Sequence, residues 1–163
     1  LRLRDGGATE ELLKFMGYET VDTSGGIKRL ALPHGNGADA IDIETVPGAS
    51  FANLGAGSVH HIAFSVENRA KQLEVRKALM DTGYQLTPVI DRDYFYSVYF
   101  RTPGGVLFEI ATDTPGFDID EPLLELGRSL KLPPWLEPSR EQIEHSVAQI
   151  TLPEENNPAL GAA

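Results

Sequence analysis

Three side chains in this sequence have the types and setting for metal chemistry. His60 and His61 stand side by side at the mouth of the run Gly57-Ser58-Val59-His60-His61-Ile62-Ala63-Phe64-Ser65-Val66. Ile62, Phe64 and Val66 alternate there with Ala63 and Ser65, the period of a pleated strand. Glu109 lies inside a second apolar run, Val106-Leu107-Phe108-Glu109-Ile110. An ionised carboxylate in such a strand is costly unless it is paired or bound to a cation. Imidazole and carboxylate together suit Fe(II), Mn(II) or Zn(II). His61 and Glu109 are therefore read as two members of a 2-His-1-carboxylate set.

Two further groups belong to the same reading. Tyr99, on the strand expected to pair with that of Glu109, aims its hydroxyl toward the same place, and Arg92 adds a fixed positive charge at a strand entrance. His60, a phenol and a guanidinium around a metal would suit an oxygen-rich anionic ligand. Taken singly, a strand His is more often a satisfied core residue and a strand Glu more often solvated. What favours the metal is their joint position on the first and last strands of one unit. Alternation puts His60 on the opposite face from His61, so it reaches the site only through a bulge or twist. Tyr94, Phe95 and Tyr96 read as packing residues, and His34 and His145 as exposed.

The elements that must position these groups form a repeat. In the first half, a strand remnant at 1–5 precedes a helix with Thr9 as cap, an apolar stripe of Leu12, Leu13 and Met16, and Gly17 at its end. Strands follow at 18–23, 27–33 and 39–46, broken by Gly-rich turns at 24–26 and 34–37. The second half runs from a strand at 58–66 to a helix at about 68–82, in which Leu73, Leu79 and Met80 point inward. It continues with strands at 85–90, 94–101 and 105–112, the last two joined at Pro103-Gly104 with Gly104 free for positive φ. The helix exits match, Phe15-Met16-Gly17-Tyr18 against Leu79-Met80-Asp81-Thr82-Gly83-Tyr84. This is a β-α-β-β-β unit occurring twice, with a period of roughly 55–60 residues. The fold class is α+β: two βαβββ modules, 1–48 and 57–113, forming a curved mixed sheet. Residues 49–57 connect them. A Pro-rich helical extension, 114–163, has short helices near 121–131 and 138–146 and a disordered last ten residues.

Composition narrows the function. The 163 residues are 41% hydrophobic and 23% charged, which is globular. A formal net charge of −10 argues against nucleic acid or an anionic membrane as partner. The lack of cysteine excludes a disulfide framework, a thiolate nucleophile and thiolate-ligated zinc, and makes a cytoplasmic setting the expectation. No apolar run approaches the ~20 residues that span a bilayer. Leu1 opens the sequence in mid-strand, from which a longer parent protein is expected.

The repeat with HHIAFSV and RTPGGVLFEIATDTPGF resembles the vicinal oxygen chelate superfamily, also called the glyoxalase/bleomycin-resistance/extradiol dioxygenase superfamily. More narrowly, Asp91-Arg92-Asp93-Tyr94-Phe95, Ser97-Val98-Tyr99-Phe100, and the tail with Pro115-Gly116-Phe117, Asp120-Glu121 and Leu132-Pro133-Pro134 resemble the C-terminal half of hydroquinone-type ring-cleaving dioxygenases. The resemblance implies His61 and Glu109 as metal ligands and His60, Arg92 and Tyr99 as residues around a bound hydroquinone. It also implies Fe(II), a small aromatic substrate and O2. The third ligand, a histidine in the N-terminal half, has no counterpart here, so that half of the same protein is the implied partner. A homo-oligomeric assembly is left open. Two rivals share the fold: a glyoxalase-like metal isomerase or lyase, and a metal-free protein that binds aromatic, drug-like molecules.

Overall fold

The computed structural model describes residues 1–35, 39–50 and 55–148. Part of the connection at 49–57, part of the turn at 34–37 and the last ten residues lie outside them. In place of one continuous mixed sheet there are two separate four-stranded mixed sheets with the same internal order. In the first, β1 (Arg2–Leu3) and β4 (Ile41–Thr45) are parallel neighbours, followed by β3 (Ile27–Ala31) and β2 (Glu19–Ser24). In the second, β5 (Ile62–Val66) and β8 (Leu107–Pro115) are parallel neighbours, followed by β7 (Phe95–Arg101) and β6 (Ile90–Asp91). Parallel pairing of the first and last strands needs a crossover, which the helices α1 (Gly7–Phe15) and α2 (Arg69–Asp81) provide.

One apolar core joins the two halves. Leu3, Leu12, Leu13, Tyr18, Leu30 and Ile43 from the first pack with Leu79, Val98, Phe100, Phe108 and Ile110 from the second. Tyr18 meets Phe64 edge-on at 6.1 Å. The β7–β8 hairpin seats directly on the first module, since a Cβ on Gly104 would come within 2.9 Å of Leu3. Gly104 is thus required by close approach, and it is Gly105 that takes positive φ, at 83°.

Several expectations change for local physical reasons. Thr9 does not cap α1: Gly6 precedes the helix, and Thr9 is buried within it. Asn68 caps α2 by accepting a bond from the Lys71 amide. On α2, Leu79 is buried as expected, but Leu73 and Met80 stand 47% and 44% exposed. Gln72 takes the inward position instead, donating Nε2 to the carbonyls of Tyr96 at 2.6 Å and Ile110 at 2.8 Å. The strand expected at 85–90 shrinks to Ile90–Asp91. Pro88 has no N–H for a ladder, and Thr87 turns its carbonyl to Arg76 while its hydroxyl accepts from the Tyr99 amide.

In the extension, the helix expected at 121–131 is only a 3-10 turn at Leu123–Glu125. Gly127 adopts positive φ, and the Glu121 carboxylate gathers the Gly127 amide and the Ser129 hydroxyl. A further 3-10 turn, Glu137–Ser139, runs into α3 (Arg140–Ser146). Among the described residues, no helix is long and apolar enough to cross a membrane.

Candidate metal centre

The register of β5, β8 and β7 sets the site. Ala63 lies opposite Glu109 across the parallel pair, and Tyr99 lies opposite Glu109 across the antiparallel pair. Residues of one parity on these strands, Phe64, Phe108, Ile110, Val98 and Phe100, go to the core. The other parity forms the opposite face, with His61, Ala63, Glu109, Ala111, Ser97 and Tyr99 on it. Ala63 flanks Glu109 across β5, and Ala111 follows it on β8, so small side chains leave space around the carboxylate.

Glu109 is 3% exposed, yet each of its oxygens has partners. His61 Nε2 lies 2.8 Å from Oε2. The Tyr99 hydroxyl donates to Oε1 at 2.9 Å, and the Ser97 hydroxyl donates to the same oxygen. Ser97 was not singled out from the sequence. It follows a register irregularity between Phe95 and Ser97, where the Thr112 hydroxyl takes the Tyr96 amide. From Ser97 onward the register is regular, so Ser97 shares a face with Tyr99 and Glu109, two residues from the position opposite the carboxylate.

His60 and His61 both precede β5, where no ladder bonds constrain them. Their Nδ1 atoms stand 2.8 Å apart with the rings perpendicular, so one imidazole donates and the other accepts. His60 therefore reaches Glu109 only through His61. Arg92 sits in the tight turn between β6 and β7, with Asp93 at positive φ and its amide bonded to Asp91. The Arg92 guanidinium stands 5.7 Å from the centre of the Tyr99 ring. A hollow of about 370 Å³, lined in part by Thr87, Tyr99, Arg101 and Leu107, opens beside Tyr99.

Tyr94 serves as an anchor, in keeping with its expected packing role. Its ring stacks on Phe117 at 4.9 Å, and its hydroxyl donates to Asp120, which pushes its pKa up to about 12. The extension is thereby fastened beside the Arg92 turn. His34 lies in a turn and His145 bonds the Glu141 carbonyl on α3. Among the described residues, no three His, Cys, Asp or Glu side chains gather into a metal-sized group.

The first module carries a counterpart of this arrangement. Counted from the first buried residue of the last strand, Ile41 or Phe108, Asp42 corresponds to Glu109, and their cross-strand partners are Arg29 and Tyr99. There Arg29 grips both oxygens of Asp42, at 2.7 and 2.8 Å, and holds the carboxyl below its usual range. An ion pair occupies the position at which the second module holds Glu109 with His61, Tyr99 and Ser97.

A family model described as "Glyoxalase/Bleomycin resistance protein/Dioxygenase superfamily" matches residues 3–110, and the chain belongs to that superfamily. It is similar to "Putative ring-cleaving dioxygenase MhqE" of Bacillus subtilis, 44% identical over 147 residues that cover 90% of this chain and 48% of the relative. It is also similar to "Chlorohydroquinone/hydroquinone 1,2-dioxygenase" of Sphingobium indicum, 38% identical over 73% of this chain and 38% of the relative. A crystal structure of a "putative dioxygenase" from Bacillus subtilis superposes with a TM-score of 0.84 at 38% identity, covering 93% of this chain and 48% of that one. The chain thus spans about half the length of the relatives it matches, or less.

Proposed function

We propose that this chain is the metal-holding half of an Fe(II)-dependent, extradiol-type dioxygenase that opens hydroquinone-type aromatic rings with O2. The observation that carries the reading is the convergence of His61 Nε2 on the Oε2 of the buried Glu109. Their 2.8 Å separation is close to the ~3 Å expected between adjacent ligands that each lie ~2.1 Å from one ion. The donor set, one imidazole nitrogen and one carboxylate oxygen, fits Fe(II) and also Mn(II) or Zn(II). A third protein ligand is assigned to the partner half, in line with the longer relatives.

When bound, Fe(II) supplies a redox centre through which the electrons of the ring reach O2. The residues of the chain do the rest. Glu109 and His61 hold the ion. With Nε2 committed to the ion, His61 carries its proton on Nδ1 and donates it to His60 Nδ1, which fixes both rings. His60 is exposed and able to pass a proton to or from a substrate oxygen. Arg92 and Tyr99 orient the phenolate: among the described residues the guanidinium over the Tyr99 ring has no carboxylate partner, so its charge is available to an oxyanion.

The name of the Sphingobium relative supports this substrate class, and that of the Bacillus protein supports ring cleavage. The test is metal analysis with an oxygen electrode on the chain joined to its proposed N-terminal half. Hydroquinone-dependent O2 uptake that follows the iron content is expected. Hydroquinone binding with no O2 uptake would favour the metal-free rival. A zinc- or nickel-dependent isomerisation would favour the glyoxalase-like one.

A further inference from the structure

We propose that Ser97 is a positioning residue that fixes which oxygen of Glu109 is offered to the metal, an inference that rests on the metal reading above. The two oxygens of Glu109 have unequal surroundings. Oε1 accepts from both Ser97 and Tyr99, while Oε2 faces only His61 Nε2. Two donors on Oε1 occupy its accessible lone pairs. Turning the carboxylate to bind through both oxygens would break two bonds to buried or half-buried hydroxyls. Glu109 is therefore held in a one-oxygen mode, with Oε2 aimed at the ion. That leaves a coordination position for substrate or O2 which a two-oxygen grip would occupy.

The two donors are not equivalent. Ser97 is 0% exposed, and no water reaches its side of the carboxylate. Tyr99 is only half-buried and lines the open hollow, so water can stand in for its hydroxyl more readily than for that of Ser97. Loss of Ser97 leaves a buried acceptor short of a donor, which the carboxylate relieves by rotating. The positioning falls chiefly on Ser97.

The test uses this chain with Mn(II) as probe, read by the enhancement of water-proton relaxation, a signal that registers weak sites. Ser97→Ala is expected to weaken Mn(II) binding by ~10–100-fold, the usual effect of removing a partner of a metal ligand. Ser97→Thr keeps the hydroxyl and is expected to restore binding, which a role confined to packing would not. Should the alanine variant fail to fold, Ser97→Cys takes its place, because a thiol is a poor donor; the same loss is expected. Undiminished affinity in the folded Ala or Cys variant, alongside loss in His61→Ala, overturns the positioning role and leaves the metal reading standing. No Mn(II) binding by the unaltered chain, or unchanged binding in His61→Ala, overturns both.

Discussion

His61 Nε2 lies 2.8 Å from Glu109 Oε2, although a helix and three strands separate the two residues in the sequence. Parallel pairing of β5 with β8 produces this meeting. Ala63 lies opposite Glu109, and His61 is two residues earlier on the same side, so it leans along the strand toward the carboxylate. The first module repeats the topology but fills the matching position with the Arg29–Asp42 ion pair. One scaffold thus carries an Arg–Asp ion pair in one module and a His–Glu pair in the other.

Tyr99→Phe and Arg92→Ala are expected to keep the metal and to lower ring-cleaving turnover by ~10–100-fold. The Tyr99 hydroxyl is replaceable by water at Glu109 but not at a substrate oxygen, and Arg92 touches the Tyr99 ring rather than a ligand. Iron content and O2 uptake, measured on the same samples, check this. Loss of iron with loss of the fold would show instead that both residues are structural.

Gln72→Leu is expected to destabilise the chain by about 2–3 kcal/mol, measured by urea unfolding. The substitution leaves the carbonyls of Tyr96 and Ile110 without the donor they now share, and a buried unpaired acceptor costs ~1–3 kcal/mol. The Gln72 Oε1 is itself unpartnered, which offsets part of the loss. Those two carbonyls flank Ser97 and Glu109 in the chain, so Mn(II) binding should weaken along with stability.

The sequence made the repeat legible because each module carries its own helix exit and its own alternation. It also made His61 and Glu109 legible, since a charged residue inside an apolar strand is conspicuous. Ser97 was hidden: a serine in a strand reads as a neutral filler, and only the pairing of β7 with β8 shows that its hydroxyl shares a face with Glu109. Gln72 was hidden because the inward face of α2 was sought among apolar residues, while the face that packs on β8 needs a polar one. The contact of His60 with His61 escaped strand alternation because both residues precede the first ladder bond of β5.

Glu10 gives the fold an acid-sensitive tie. It pairs with Lys14 at 2.8 Å and Lys28 at 2.6 Å, fastening α1 to β3, and these partners hold its carboxyl below the usual 4.5. A carboxyl depressed in the folded state stabilises the fold above its unfolded pKa, and that contribution fades as pH falls through the folded value. Stability should therefore decline below about pH 4.5, and Glu10→Gln should flatten that part of the curve. Urea midpoints of both proteins between pH 3 and 6, on the order of the carboxylate range, decide the point.

The central claim is that His61 and Glu109 hold one divalent ion together, and anaerobic titration of the metal-free chain with Fe(II) tests it most directly. Only two ligands converge among the described residues. One ion per chain is therefore expected, bound loosely and without ring-cleaving turnover, and no binding is expected in His61→Ala or Glu109→Ala. Binding that persists unchanged in either variant would contradict the claim.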